Sequence, residues 1–510
     1  MSAVTTPAST PDTAAPIQYL QAGQWRSSAS ARRGDVFNPS TGKTIGQVPL
    51  CTADETAAVI TAAHEAWFGW SETPVVERAR LLFRFRELMM QNFDRVAMTV
   101  TREHGKTLAE ARAGVQRGIE VVEFACGAPS LLMGEALPQL ARGVDAETVR
   151  HSIGVCAGIT PFNFPAMVPL WMFPVALACG NCFVLKPSEK VPLTANLMAE
   201  LMMEAGCPAG VFSVVHGDKE CVDTLLTHPL VKAVSFVGST NIAKYVYETG
   251  TCHGKRVQAA GGAKNHLIIM PDADLDQAVA ALQASAFGCA GERCMAGSVA
   301  LAVGGVGDEL AGRLIDKSSK MTVGPTDSGA DVDMGPLISA QHRDKVAGYL
   351  DIGAGEGAKV TLDGRKNAPT EGFFLRPSVI DHVQPDMRVA TDEIFGPVLS
   401  VIRSDSLKDA LEIGRNSPYG NGASIFTQSG YAAREFKRHF NAGMIGVNIG
   451  VPAPMAWFPF TGWNQSFFGD LHIQGREAFL FNTQGKTTMT RWFEHASEAA
   501  HDPVWRQKGQ

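Results

Sequence analysis

Apolar residues recur mainly at helical spacing from Ala53 to Phe93, and Glu77 to Met90 carries a dry stripe with Arg and Glu outside it. The helical pattern continues through Gly105–Met133. Ahead of it, Leu20–Trp25 and Val36–Gly42 read as short β segments with a turn at Asn38-Pro39. From Ser152 the pattern becomes strand and helix in alternation. Strands are predicted over Ser152–Thr160, Asn181–Lys186, Val211–His216 and Ala233–Val237, and helices over Met167–Ala178, Leu193–Ala205 and Cys221–Thr227. That alternation predicts an α/β fold with a doubly wound parallel sheet. A second set starts near His266, with strands at Leu267–Met270 and Val299–Val303 and helices at Leu275–Phe287, Leu310–Lys320 and Ser339–Gly355. The domain boundary is placed near Gly261–Lys264. Arg365–Gly372 is polar and reads as a loop, and Ala478–Trp492 reads as an edge strand seeking a partner subunit.

Composition narrows the class. The 510 residues are 45% apolar and 19% charged, enough for large cores. A net charge of −6 offers no basic face for nucleic acid. Ten cysteines are too sparse for a disulfide scaffold in a chain this long and fit reduced thiols in a cytoplasmic enzyme. Residues 1–16 are small, polar and Pro-rich, and are expected to form a disordered tail with no signal peptide. Phe164 to Leu185 has no charged residue, but Pro169, Pro174 and Gly180-Asn181 interrupt it. It is expected to be a buried helix and strand, with no membrane span.

Two motifs are discounted. Gly353–Ala358 fits G-x-G-x-x-A but follows a helix and leads into a strand at Lys359–Leu362, so it reads as a helix-ending turn. Cys179-x-x-Cys182 has no second ligand pair and reads as two core thiols, and no metal is expected. Cys126, Cys156 and Cys207 also lie in apolar elements. Cys294 stands apart. It sits in the Gly-rich segment GCAGERCMAG beside Arg293, a cation that favours thiolate. These grounds leave both a nucleophile and an inert thiol open.

Ile159–Pro165 (ITPFNFP), Val184–Glu189 (VLKPSE), Phe236–Thr240 (FVGST) and Glu393–Val398 (EIFGPV) resemble the aldehyde dehydrogenase superfamily in order and spacing, from about Leu20 to Trp492. Val257–His266, Gly291–Ala296 and Ser466–His472 resemble its CoA-acylating methylmalonate-semialdehyde branch. The resemblance implies a Rossmann-like NAD-binding domain (17–136 and 153–262), an α/β catalytic domain (263–465) and a β oligomerisation arm (137–152 and 466–495). It implies Cys294 as nucleophile, with an oxyanion hole made by Asn163 and the Cys294 backbone N–H. Thr160, Phe162, Lys186, Glu189, Gly238, Ser239, Glu393 and Phe395 are implied for NAD, Lys186 and Glu189 at the adenosine ribose and Glu393 at the nicotinamide ribose. Coenzyme A is the implied co-substrate and a homodimer or homotetramer the implied assembly.

One position departs from the hydrolytic members. Their Glu-Leu-Gly-Gly-Lys carries the Glu that activates water. Aligned on Lys264, that Glu falls on Ala260. Water without a base is a poor nucleophile, whereas a thiol with a pKa near 8.5 is partly ionised at neutral pH. Transfer to CoA is then the expected exit. In the CoA-acylating branch two arginines hold the substrate carboxylate, at positions matching Arg117 and Arg293. The expected reaction is oxidative decarboxylation of malonate or methylmalonate semialdehyde to acetyl-CoA or propionyl-CoA. Val451–Phe460 departs from that branch and is expected to line the substrate pocket. The alternatives are an aldehyde dehydrogenase without decarboxylation and a catalytically retired homologue.

Overall fold

The computed structural model describes residues 16–453 and 455–493; the tail reading for residues 1–16 falls outside them except at Pro16, which is bridged to Gln47. Five parallel strands form the middle of the first sheet: β1 (Val155–Ile159), β2 (Cys182–Lys186), β3 (Phe212–Val214), β4 (Val231–Val237) and β5 (Arg256–Ala260). Their spatial order is β3-β2-β1-β4-β5. The chain therefore winds outward from β1 in one direction, returns, and continues on the other side. Between β1 and β4 the winding reverses, and open α/β sheets keep their ligand crevice at such a point. Antiparallel strands flank the five, with Tyr19–Gln21 and Gln24–Arg26 at one edge and Phe467–Phe468 at the other.

The second sheet carries β6 (Asn265–Ile269), β7 (Gly297–Val303), β8 (Ser378–Asp381), β9 (Val398–Ser404), β10 (Gly422–Phe426) and β11 (Met444–Val447) in the order β8-β9-β7-β6-β10-β11. All these neighbours are parallel, with Lys359–Leu362 antiparallel at the edge beside β8. Each sheet anchors its own hydrophobic core. A third sheet pairs Thr483–Arg491, Val144–Ser152 and Glu135–Ala141. Its outer strand, Glu135–Ala141, is exposed along its whole length.

Helix positions follow the local pattern closely. Pro74 and the Gly105 turn divide the long helical stretch, and α1 (Leu108–Cys126) starts at a capping box of Thr107 and Glu110. The uncharged segment is α2 (Met167–Ala178), buried from Val168 to its end, followed by β2. No helix among the described residues is long and apolar enough to cross a membrane. A Cβ at Gly118 would lie 2.5 Å from Leu170, so glycine lets α1 lie close on α2. Gly353–Ala358 is a helix-ending turn, closed by Ala358 N–H on the Gly353 carbonyl (2.9 Å).

The C-terminal reading needs correction. Ala478–Trp492 is not one strand: Gly475–Phe481 is a helix, and only Thr483–Arg491 is extended. Ala478, Phe479 and Phe481 are buried in the first core, and helical spacing lets all three point there. Residues 466–481, expected in the arm, add Phe467–Phe468 to β5 and this helix to the first core.

Buried Glu103 joins two helices. Its carboxylate accepts from the N–H groups of Leu193 (2.7 Å) and Thr194 (3.0 Å) and from the Thr194 hydroxyl, at the start of α3 (Pro192–Glu204). Burial raises its pKa to about 7 against those three bonds. Glu103→Ala leaves the donors unpaired and should cost on the order of 2–3 kcal/mol. A lowered melting temperature is expected, and an unchanged one would refute the role.

Candidate active site

Cys294 lies between α5 (Leu275–Phe287) and β7. Cys289 (φ 50°), Ala290 (φ 52°) and Gly291 (φ 72°) are left-handed in succession. For the first two this conformation is strained and needs outside support. A Cβ at Gly291 would lie 2.2 Å from the Gly396 carbonyl oxygen, so the loop seats there only as glycine. Support comes from several sides. Glu110 Oε1 accepts from the Cys289 N–H (2.6 Å) and Arg293 Nη2 (3.2 Å). Asn163 Nδ2 donates to the Glu292 carbonyl (2.9 Å). Asn265 and Asn421 both donate to the Cys294 carbonyl (2.9 Å each). Asn265 also reaches the Ala296 carbonyl (2.8 Å) and accepts from Gly422 N–H (3.0 Å).

Asn163 is buried just beyond the end of β1. Its carbonyl accepts from Lys106 Nζ (2.6 Å), a buried ammonium that also lies 3.9 Å over the Phe164 ring. Phe162 packs among His104, His342 and Phe395, with centroids 6.0, 6.2 and 5.8 Å away. Phe395 is left-handed (φ 57°), and His342 Nε2 donates to its carbonyl (2.7 Å). Beneath them Glu292 is fully buried. Burial raises its pKa to about 8, although Ile338 N–H donates to it (3.2 Å).

Burial, more than charge, opposes ionisation of the thiol, and the Arg293 guanidinium works against that rise. Burial pushes Cys294 up to about 12, and Glu393 adds to the rise. Glu393 is itself raised, chiefly by burial, while accepting from the Ala263 N–H (2.9 Å). Burial brings Lys264 down to about 7, and its ammonium donates to the Asp392 carbonyl (2.7 Å). Ala260 is buried in β5 and offers no carboxylate.

At the reversal point the strand ends gather a different set. Thr160 follows β1, and its N–H donates to the Lys186 carbonyl (3.1 Å). Lys186, buried at the end of β2, pairs with Glu189 at 3.4 Å. Burial alone would raise Glu189, but Lys186 and other partners hold it below its usual value. Gly238 and Ser239 follow β4 and open a 13-residue helix, α4 (Thr240–Cys252), at whose N-terminus Ser239 makes no side-chain cap. A helix N-terminus opposite a buried ammonium and a carboxylate suits a ligand with phosphate and ribose groups.

A separate cavity of about 510 Å³ opens at Cys294. Arg117 and Arg293 line it with Glu110, Glu120, Phe164 and Trp171, and Val451, Ala453, Ala456 and Phe460 line it as well. Both candidate arginines thus share a cavity with the thiol. Lys106, Glu110, Asn265, Asn421 and Glu292 were not singled out from sequence. Gly105-Lys106-Thr107 at a helix start was the available cue for the first two. Asn421 offered none.

A Gly-rich thiol loop seated between two parallel α/β sheets, with a nucleotide-type crevice at one and a cavity at its thiol, is an aldehyde dehydrogenase arrangement. The aldehyde dehydrogenase family model matches residues 25–488, and the chain belongs to that family. It is 51% identical over 473 residues to malonate-semialdehyde dehydrogenase 2 of Geobacillus thermodenitrificans, covering 92% of this chain and 97% of that one. The methylmalonate-semialdehyde dehydrogenase of Oceanimonas doudoroffii superposes with a TM-score of 0.93 at 48% identity, over 95% and 99% of the two chains. A Sinorhizobium meliloti protein described as a methylmalonate-semialdehyde dehydrogenase complexed with NAD superposes with a TM-score of 0.94 at 43% identity, over 96% and 100%.

The electrostatics predict how the thiol responds to pH. Alkylation of Cys294 by iodoacetamide in the free enzyme should still be rising at pH 9–10, since only thiolate reacts. Glu393→Gln removes a negative charge, lowers the thiol's pKa and should speed alkylation several-fold at pH 8. An unaltered rate would show that Glu393 does not act on the thiol.

Proposed function

We propose that this chain oxidises malonate or methylmalonate semialdehyde with NAD and CoA, releasing CO2 and acetyl-CoA or propionyl-CoA. The observation that carries the reading is the single cavity shared by Cys294, Arg117 and Arg293, combined with alanine at position 260. The named activities of the relatives agree with it.

Residues at the reversal point suit NAD: α4's N-terminus and Gly238-Ser239 for the pyrophosphate, Lys186 and Glu189 for the adenosine ribose. Thr160 and Phe162 lie on the turn between that crevice and Asn163, and Glu393 and Phe395 are assigned to the nicotinamide end. An acidic Glu189 disfavours a 2′-phosphate. Bound there, NAD supplies the acceptor for the hydride leaving the substrate carbon.

The chain's own residues do the rest. Arg117 and Arg293 take the carboxylate and bring the aldehyde carbon to Cys294. The thiolate adds to that carbon, and the resulting oxyanion receives the Cys294 N–H and an Asn163 amide proton. Asn163 Nδ2 has two protons and gives one to Glu292, so a second is available. Oxidation leaves a thioacyl group on Cys294. Loss of CO2 from its β-carboxylate puts an electron pair into an enolate, whose oxygen occupies the same hole, and protonation gives the shorter acyl group. The CoA thiolate then displaces Cys294.

The arm supports a homodimer or homotetramer, since Leu137, Met489 and Trp492 are exposed on a sheet with an unpaired edge among the described residues. Ten free cysteines fit the cytoplasm.

Two outcomes test the chemistry. Without CoA, NADH should appear as a burst near one equivalent per site and nearly stop, because no base at position 260 activates water. Sustained turnover at the rate seen with CoA would overturn CoA acylation. Arg117→Ala should lower kcat/KM for malonate semialdehyde by about fivefold, the loss expected from one arm of a half-exposed charge pair, while barely changing propanal oxidation. Equal losses would make Arg117 structural, and a wild type that prefers propanal would overturn the semialdehyde reading.

A further inference from the structure

The cavity at Cys294 contains two carboxylates as well as two guanidinium groups, and their pairing is unequal. Glu110 holds Arg293 at 3.2 Å while taking the Cys289 N–H at 2.6 Å and the Thr107 N–H at 3.1 Å. One carboxylate thereby ties together the start of α1, the strained loop and Arg293. Freeing Arg293 completely would cost the loop one of its supports. Glu120 is placed differently. It pairs with Arg117 at 3.1 Å, three residues away on the same helix, and is less exposed than its partner (17% against 48%). The Arg117 guanidinium also touches the Met455 sulfur.

We infer that Glu120 is an internal competitor for Arg117: a substrate carboxylate binds by displacing Glu120 from the guanidinium, and Glu120 thereby sets how strongly this site prefers carboxylate-bearing aldehydes. The inference rests on the semialdehyde reading and goes beyond it. Arg117 is the exchangeable arm, because its present partner supports nothing else in the loop. Arg293 is the fixed arm, because Glu110 has three donors to satisfy. The competition also has a use after chemistry. Once CO2 has left, the acyl group has no carboxylate, and Glu120 reclaims Arg117 without opposition.

A partly exposed pair of this kind is weak, so the competition is worth a factor of about two to five. It is read without cofactor or substrate by alkylating Cys294 with iodoacetate and with iodoacetamide, which differ in a carboxylate. The ratio of the two rates reports attraction of the anion. Glu120→Gln should raise that ratio about two- to fivefold, Glu120→Ala should do the same, and Arg117→Gln should lower it below the wild-type value. In parallel, the kcat/KM of malonate semialdehyde relative to propanal should rise in Glu120→Gln. An alkylation ratio unchanged or lowered in both Glu120 variants overturns the inference even if the wild type prefers the semialdehyde. A wild type that prefers propanal overturns the underlying reading and leaves the alkylation ratio as its own measurement of the Glu120–Arg117 competition.

Discussion

The position of Cys294 depends on holding one strained loop, residues 288–294, against two sheets at once. Its left-handed run at Cys289 and Ala290 is unfavourable by itself, and Gly291 seats on Gly396 with no space for a side chain. The compensating bonds come from opposite sides. Glu110 and Asn163 reach it from the side of the first core, Asn265 from β6 of the second sheet and Asn421 from the residue just before β10. Four side chains therefore locate one sulfur, and three of them bond main-chain carbonyls. Because carbonyls and N–H groups are fixed along the chain, such bonds set loop position with little freedom left.

Burial then sets the reactivity. The same packing that fixes Cys294 leaves it only partly exposed and places Glu393 near it, which keeps the thiol protonated in the free enzyme. Lys106 and Arg293 bring positive charge into this region, but each is already engaged, Lys106 by the Asn163 carbonyl and Arg293 by Glu110. Of the two, only Arg293 has its charge offset by a carboxylate. A change that brings a cation or removes a carboxylate near the sulfur is what favours the thiolate.

The pairing of the two arginines bears on how the cavity would receive an anion. Two guanidinium groups without partners would attract any small anion, and two paired ones attract little. Pairing Arg293 through a structural carboxylate and Arg117 through a local one gives the cavity one fixed and one exchangeable cation. The surrounding surface from Phe164, Trp171 and Phe460 is apolar, which strengthens whichever pairing forms.

The alternation of strands and helices was legible because it follows from periodicities of two and 3.6 residues, both local properties of the chain. Predicted elements such as Met167–Ala178 and Leu275–Phe287 coincide with the observed helices. The Gly-rich context of Cys294 was legible for a similar reason, since a tight turn needs glycine wherever it lies. The C-terminal segment misled because Phe479 and Phe481 also fit alternation, and their burial against the first core decided for a helix. Glu110 offered only the cue of a helix start and Asn421 none, and neither local pattern shows what the side chain reaches. Their partners lie 179 and 127 residues away, at Cys289 and Cys294, and no local pattern encodes such a bond. By itself, then, the sequence determined the elements, the Gly-rich segment around Cys294 and the alanine at position 260, since these are written in residue type and near spacing. Which carboxylate faces which arginine, how far the thiol's pKa rises and what braces its loop were decided only when distant segments came together, because electrostatic energy depends on distance and burial rather than order along the chain.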